Sequence, residues 1–351
     1  MTLHWENGLA EERVPAGNLF LEHPWLNAYA RHQPDGPIDV RNLTVGQDRI
    51  AFGSRREKQR GFSARVLRFL GDPLADQFWF GDETRPDWAE VIAGIKKAPR
   101  WDVAVLGELN LPENTRNDIS RIASGHGLKA HWRLCGKAPV VYLERDGKPL
   151  DFGDYSSTLR RRLKRSRKKL EAAGKVEVFH HLPEPDGVAA LIKVMKSIED
   201  ASWKGAEGSG LFSDKRLPFV RDLSLALAAR QQLEIYILEL EGHPISYRYG
   251  FRYNNRFLDY NLAYRPEFGN LSPGRILLDE IITTSQKMGL EAVDASRGSL
   301  VRPHILADWP CEIREHYRLT LFNRSLIGRL LYQIETRIRP LILSLRNRKK
   351  S

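Results

Sequence analysis

The sequence predicts an α/β protein of two domains in tandem, and three observations carry that expectation. The chain has 351 residues and a 42% hydrophobic share, enough for two cores of ordinary size. Strand-like and helix-like segments alternate, and their order recurs after about residue 150, which favours mixed sheets flanked by helices. Residues 256–289 form a strand–loop–helix stretch, reading DYNLAYRPEFGNLSPGRILLDEIITTSQKMG from Asp259 on.

In order, residues 18–29, with Phe20, Trp25 and Tyr29, suit a short core-plugging helix. Segments 39–45 and 49–55 read as a hairpin about Gly46-Gln47, and 64–70 and 77–80 as further strands. A helix is expected over 86–97, a buried strand over 101–106, a helix over 114–126, and strands over 128–133 and 140–144. Asp146-Gly147-Lys148-Pro149 is a turn. Beyond it, residues 155–174 place Leu159, Leu163, Ser166 and Leu170 on one helical stripe, with arginines and lysines over the rest. The second half continues with a strand at 176–180, a helix at 187–202 and a Gly-rich loop from Trp203 to Gly210. A helix at 214–230 and a hairpin of 233–240 with 244–253 follow, then the strand 256–264. Ser272 is expected to cap the next helix with its hydroxyl. Pro273 suits the first helical position, leaving the amides of Gly274 and Arg275 free to hold an anion. Strands at 291–295 and 312–322 come next, and a basic amphipathic helix at 326–348, interrupted by Pro340, closes the chain. The implied domains are 1–150, 151–325, and a C-terminal helix and tail over 326–351.

Net charge of +11 favours anionic partners: a phosphorylated cofactor, nucleic acid or an acidic membrane face. No apolar run approaches the roughly 20 residues needed to span a bilayer. The start, MTLHWENGLAEERV, lacks a basic region followed by an apolar one, so no signal peptide is expected. Cys135 and Cys311 could form one disulfide, but the pair reads rather as two buried free thiols in a reducing cytosol. Without CxxC, HExxH or a His/Cys cluster, no metal site is expected.

The stretch AYRPEFGNLSPGRILL, continuing into Gly289–Asp294 and Arg297-Gly298, resembles the GNAT acyltransferase superfamily, and within it the CelD-like branch with its "acetyltransferase 6" domain. The order of elements resembles the tandem GNAT architecture of FemAB/FemX proteins. The N-terminal copy, which has no helix start like 272–275, would be degenerate. The resemblance implies an acyl-CoA donor whose pyrophosphate meets the helix start and whose pantetheine lies between two splayed strands. It places the donor against Leu262, Ala263, Ser272, Gly274 and Arg275. An amide of 261–264 would serve the thioester carbonyl, and Tyr264 would donate to the leaving thiolate. Asp294, Asp259 and Tyr260 are candidates for handling the acceptor. Relatives tend to have Asp at Arg265 and a Tyr-Lys pair before Trp309, both absent here.

The implied function is acyl transfer from acyl-CoA to an amine or hydroxyl of a small molecule or saccharide, in polysaccharide or cell-envelope synthesis. The alternatives are a FemX-like aminoacyltransferase using aminoacyl-tRNA and a non-catalytic GNAT-like scaffold of polysaccharide synthesis. The expected location is cytoplasmic, with the basic helices allowing peripheral attachment to an anionic membrane surface on its inner face.

Overall fold

The computed structural model describes residues 4–9, 17–46, 48–78 and 86–342. The chain forms two compact units, Met1–Cys135 with His316–Ser351, and Gly136–Glu315. The chain thus crosses between units twice, at 135/136 and 315/316, where sequence reading placed the boundaries at 150/151 and 325/326.

The first unit opens with β1 (His4–Asn7), α1 (His23–His32), β2 (Asp39–Val45), β3 (Asp48–Gln59) and β4 (Phe62–Phe69). It continues through α2 (Trp88–Lys97), β5 (Val103–Leu109), α3 (Glu113–Gly125) and β6 (Lys129–Tyr142). Aromatic packing fills its core: Phe69 stacks on Phe78 at 4.7 Å, and Phe20 meets Trp25 edge-on at 4.7 Å. Helix α2 approaches β2 so closely that a Cβ on Gly94 would lie 2.5 Å from the Leu43 side chain. Two strands expected over 128–144 are one, β6. Gly136 does not break it but admits another backbone, since a Cβ there would sit 2.8 Å from Gly298 O. Of the strand expected at 77–80, Gln77 and Phe78 lie outside any strand, and residues 79–80 fall outside the described residues.

The second unit has a small ladder of β7 (Glu144–Arg145) and β8 (Lys148–Pro149), closed by left-handed Asp146 and Gly147. Then come α4 (Ser157–Ala173), β9 (Val176–His181), α5 (Val188–Ala201), the short α6 (Trp203–Ala206) and α7 (Leu217–Ala228). β10 (Leu233–Leu240), β11 (His243–Tyr253), β12 (Arg256–Tyr264), α8 (Pro273–Lys287) and β13 (Ala292–Asp294) follow. On one sheet face α4 and α8 pack Leu159, Leu163, Leu170, Leu277 and Ile281 against Tyr236, Leu238 and Phe257. Burying each leucine contributes about 1.5–3 kcal/mol, which anchors α4 through its one apolar stripe despite its cationic remainder. On the other face Phe212 meets Tyr247 and Tyr249 edge-on, and Ser224 of α7 hydrogen-bonds Tyr249 at 2.8 Å.

β14 (Glu312–Phe322) and α9 (Leu326–Gln333) return the chain to the first unit. Pro340 does not stop the last helix. A π-turn over Ile334–Ile338, with Arg339 N–H donating to Ile334 O, absorbs the donor that proline lacks, and helix continues to Ile342. The expected extension from 343 to 348 and the tail lie outside the described residues.

Taken separately, the units share one scheme. In the first, β1 to β4 pair antiparallel in sequence, β4 pairs parallel with β5, and α2 makes the crossover. In the second, β9 to β12 pair antiparallel, β12 pairs parallel with β13, and α8 makes the crossover. Helix α2 therefore stands where α8 does, but its first turn is closed to anions. The Asp87 carboxylate accepts from Ala89 and Glu90 N–H, and Glu90 adds a second negative charge. This is the physical sense in which the first copy is degenerate.

Candidate active site

The site forms where β12 leaves β13. The two strands pair only at Arg256↔Ala292, Phe257↔Val293 and Leu258↔Asp294. The β11 register then skips from Tyr249↔Asn261 to Gly250↔Asp259, leaving Tyr260 as a bulge that bends β12 at that point. Beyond the bulge, the edge of β12 that had faced β13 is open. Arg265 N–H donates to Ile245 O and Ala263 O accepts from Ser246 Oγ, so these groups point toward β11. By alternation Leu262 and Tyr264 turn their N–H and C=O groups to the open edge, where Leu262 O accepts from Lys204 Nζ at 2.6 Å.

A cavity of about 600 Å³ lies along this edge and reaches the start of α8. Its lining includes Lys204, Arg248, Arg275, Arg302 and His304, and no acidic side chain among the described residues. Trp203 and Tyr264 stand at its mouth, 52% and 37% exposed.

Beneath it, Arg248 is wholly buried and holds two elements together. Its Nη1 pairs with Asp259, while Nε and Nη2 donate to Gly274 O at 3.2 and 2.9 Å. The same Asp259 oxygen lies 3.4 Å from His304 Nε2. His304 Nδ1 accepts from Leu306 N–H at 3.2 Å, so the ring proton belongs on Nε2. Burial alone would raise the Asp259 carboxyl, but Arg248, His304 and Lys204 together hold it below the ordinary carboxylate value. A second chain of contacts sets Lys204. Buried Glu199 accepts from Tyr247 Oη at 2.8 Å and Asn261 Nδ2 at 3.1 Å, and Lys204 Nζ donates to Asn261 Oδ1. Burial lowers the Lys204 ammonium from its ordinary value, against the pull of Glu199 and Asp259.

The start of α8 differs from expectation. Ser272 is left-handed (φ 58°, ψ 49°) and ends the preceding 3₁₀ turn, Pro266–Leu271, so its hydroxyl does not cap the helix. Arg275 N–H donates to Ser272 O at 3.0 Å, which leaves Gly274 as the first-turn amide open to a ligand. A Cβ on Gly274 would meet nothing within 4 Å. The Arg275 side chain is held by Asp308.

Residues 157–301 match the family model described as an acetyltransferase (GNAT) domain. The second unit carries a GNAT domain. No curated protein matches the chain by sequence. Among solved structures, FemX is 10% identical with a TM-score of 0.58, over 92% of this chain and 95% of that one. A conserved protein of unknown function from Bacteroides thetaiotaomicron is 10% identical with a TM-score of 0.54, over 87% and 92%. The C-terminal domain of a proposed lysylphosphatidylglycerol synthetase from Agrobacterium fabrum is 12% identical with a TM-score of 0.50, over 84% and 86%. At such identities the likeness is one of fold alone.

Within the GNAT domain, Leu262, Ala263, Tyr264, Ser272, Gly274 and Arg275 all line the cavity. Asp259 lies behind it, reached through Arg248 and His304. Two candidates lie elsewhere. Tyr260 packs on Phe251 at 5.2 Å and Tyr249 at 6.3 Å, because the bulge turns it to the aromatic face. Asp294 is 1% exposed and has both oxygens engaged, by Arg314 Nη1 at 2.8 Å and Ser296 N–H at 2.8 Å, so it is a structural counter-ion. Sequence reading missed Lys204 and Arg248. Arg248 did carry a signal: a lone arginine inside the apolar strand Ile245–Phe251 calls for a buried partner.

Proposed function

We propose that the protein is an acyltransferase that moves an acyl group from acyl-CoA to an amine or hydroxyl acceptor in this cavity. The observation that carries the reading is the open edge of β12 beside the Gly274 amide, in a cavity lined by cations. The pyrophosphate of the donor meets the Gly274 N–H, the positive end of α8 and Arg302. The pantetheine takes the place that β13 vacates. The thioester oxygen then receives the N–H of Leu262 or Tyr264, and the Lys204 ammonium beside the same edge adds positive charge where the tetrahedral oxyanion forms. The acceptor forms a C–N or C–O bond, the C–S bond breaks, and the proton lost by the acceptor replaces one that Tyr264 gives to the thiolate.

A donor carried by a polyanion is the second reading, and α4 favours it. Arg161, Arg165 and Lys168 are exposed and have no carboxylate partner among the described residues, although Arg162 and Arg167 pair with Asp308 and Asp279. Such a face suits aminoacyl-tRNA, in keeping with a FemX-like reaction. A role in polysaccharide or cell-envelope synthesis would follow from a saccharide acceptor. Isothermal titration with acetyl-CoA and longer acyl-CoAs tests the first reading. Binding that Gly274→Glu abolishes is expected. Absence of binding by every acyl-CoA, together with a salt-sensitive tRNA complex, would transfer the proposal to the second.

A further inference from the structure

The first unit holds a second cationic cavity that acyl transfer does not use. It encloses about 440 Å³. Lys58 comes from β3, Arg60 from the β3–β4 turn, Arg68 from β4, Arg133 from β6, Arg318 from β14 and Arg339 from the end of the last helix, against one lining carboxylate, Glu335. Val103, Val105, Phe322 and Leu331 supply an apolar floor.

The charges do not balance. Arg68 is neutralised by Glu57 at 2.9 Å and Asp72 at 2.8 Å. Glu335 is shared between Arg60 at 2.6 Å and Arg339 at 3.2 Å. Arg133 and Arg318 have no carboxylate within ion-pair distance among the described residues, and Arg318 Nε is buried without a hydrogen-bond acceptor. Burial and the nearness of Arg318 and Arg339 lower the Arg133 guanidinium, and burial with Arg133 and Arg339 lowers the His131 imidazole. Like charges held together at a buried surface cost free energy unless an anion joins them.

We propose that this cavity binds a phosphorylated organic anion. Arg133 and Arg318 would grip a phosphoryl or pyrophosphoryl group, and the organic part would lie on Val103, Val105 and Phe322. Planar guanidinium forks match phosphate oxygens in pairs, and the volume exceeds what a bare phosphate fills. The first GNAT-like copy, with its α2 start closed by Asp87, would have kept a binding role on a different wall.

The test is isothermal titration of the full chain with phosphate, pyrophosphate and phenyl phosphate, at ionic strength matched by sodium chloride. NMR would follow the His131 titration with and without ligand. Phenyl phosphate should bind more tightly than phosphate, and its saturation should raise the His131 midpoint. Arg133→Gln and Arg318→Gln should each weaken binding by at least about tenfold, the loss of one charge-assisted hydrogen bond. Gly274→Glu, in the other unit, should leave binding here unchanged. No binding by wild type, binding unaltered in both arginine variants, or an unmoved His131 would overturn the proposal. Phosphate binding as tightly as phenyl phosphate would overturn the organic ligand.

Discussion

Asp259→Asn is the substitution whose cost the structure best defines. The two side chains are nearly isosteric, so packing is kept while the charge opposite Arg248 is removed. Arg248 and Asp259 are 0% and 3% exposed, so water cannot replace the lost carboxylate. Removing one partner of a buried ion pair costs about 3–5 kcal/mol. The amide oxygen still accepts one hydrogen bond and Gly274 O still accepts two from Arg248, which places the expectation near ~3 kcal/mol. At ~2–4 °C per kcal/mol for a domain of this size, the transition of the second unit should fall by about 6–12 °C. Denaturant unfolding and calorimetry read both quantities. The double variant Arg248→Met/Asp259→Leu should lose far less than the sum of its singles, since an apolar pair replaces a charge pair at little net cost. A loss below about 1 kcal/mol for Asp259→Asn, or additive singles, would refute the claim that this pair is coupled and desolvated. The same pair sets an acid limit. Because the folded carboxyl lies below its unfolded value, its stabilisation is present above pH ~3.8 and is lost as pH falls through the folded value. Asp259→Asn should therefore flatten the acid end of the stability profile.

Other expectations concern the cavity and the charged faces. Gly274→Ala should leave acyl-CoA affinity nearly unchanged in titration, because a Cβ there meets open space, whereas Gly274→Glu should abolish it. Tyr264→Phe should lower kcat with little change in KM, and the loss should shrink with a thioester whose thiol leaves more readily; equal losses for all donors would remove the proton-donor role. Lys204→Met should lower kcat/KM by at least about tenfold while far-UV circular dichroism is kept, and a wild-type rate would remove Lys204 from oxyanion stabilisation. Anionic vesicles should bind the chain weakly at low salt, and deleting residues 346–351 should reduce that binding; cosedimentation indifferent to both salt and deletion would exclude the membrane.

The sequence by itself determined what depends on neighbours in the chain. Pro266, Gly269, Pro273 and Gly274 punctuate the strand-to-helix joint, and local backbone preferences suffice to read them. The helix start at Gly274 and Arg275 was legible for that reason, as was the apolar stripe of α4, whereas Leu262 to Tyr264 were singled out only by the resemblance to the GNAT superfamily. Tertiary structure decided what depends on register and crossing. A single bulge at Tyr260 sent that ring to the aromatic face and opened the edge beside it. Asp259 and Asp294 look alike as strand carboxylates, yet one meets Arg248 and His304 and the other Arg314, across 11, 45 and 20 residues of sequence. Arg68, Arg133 and Arg318 each read as the solvated side of an ordinary strand, in RVLRF, HWRLC and YRLTLF. Only the sheet order β4-β5-β14-β6 brings them to one cavity, because hydrogen bonding between distant strands, and not alternation within one, chooses which side chains become neighbours.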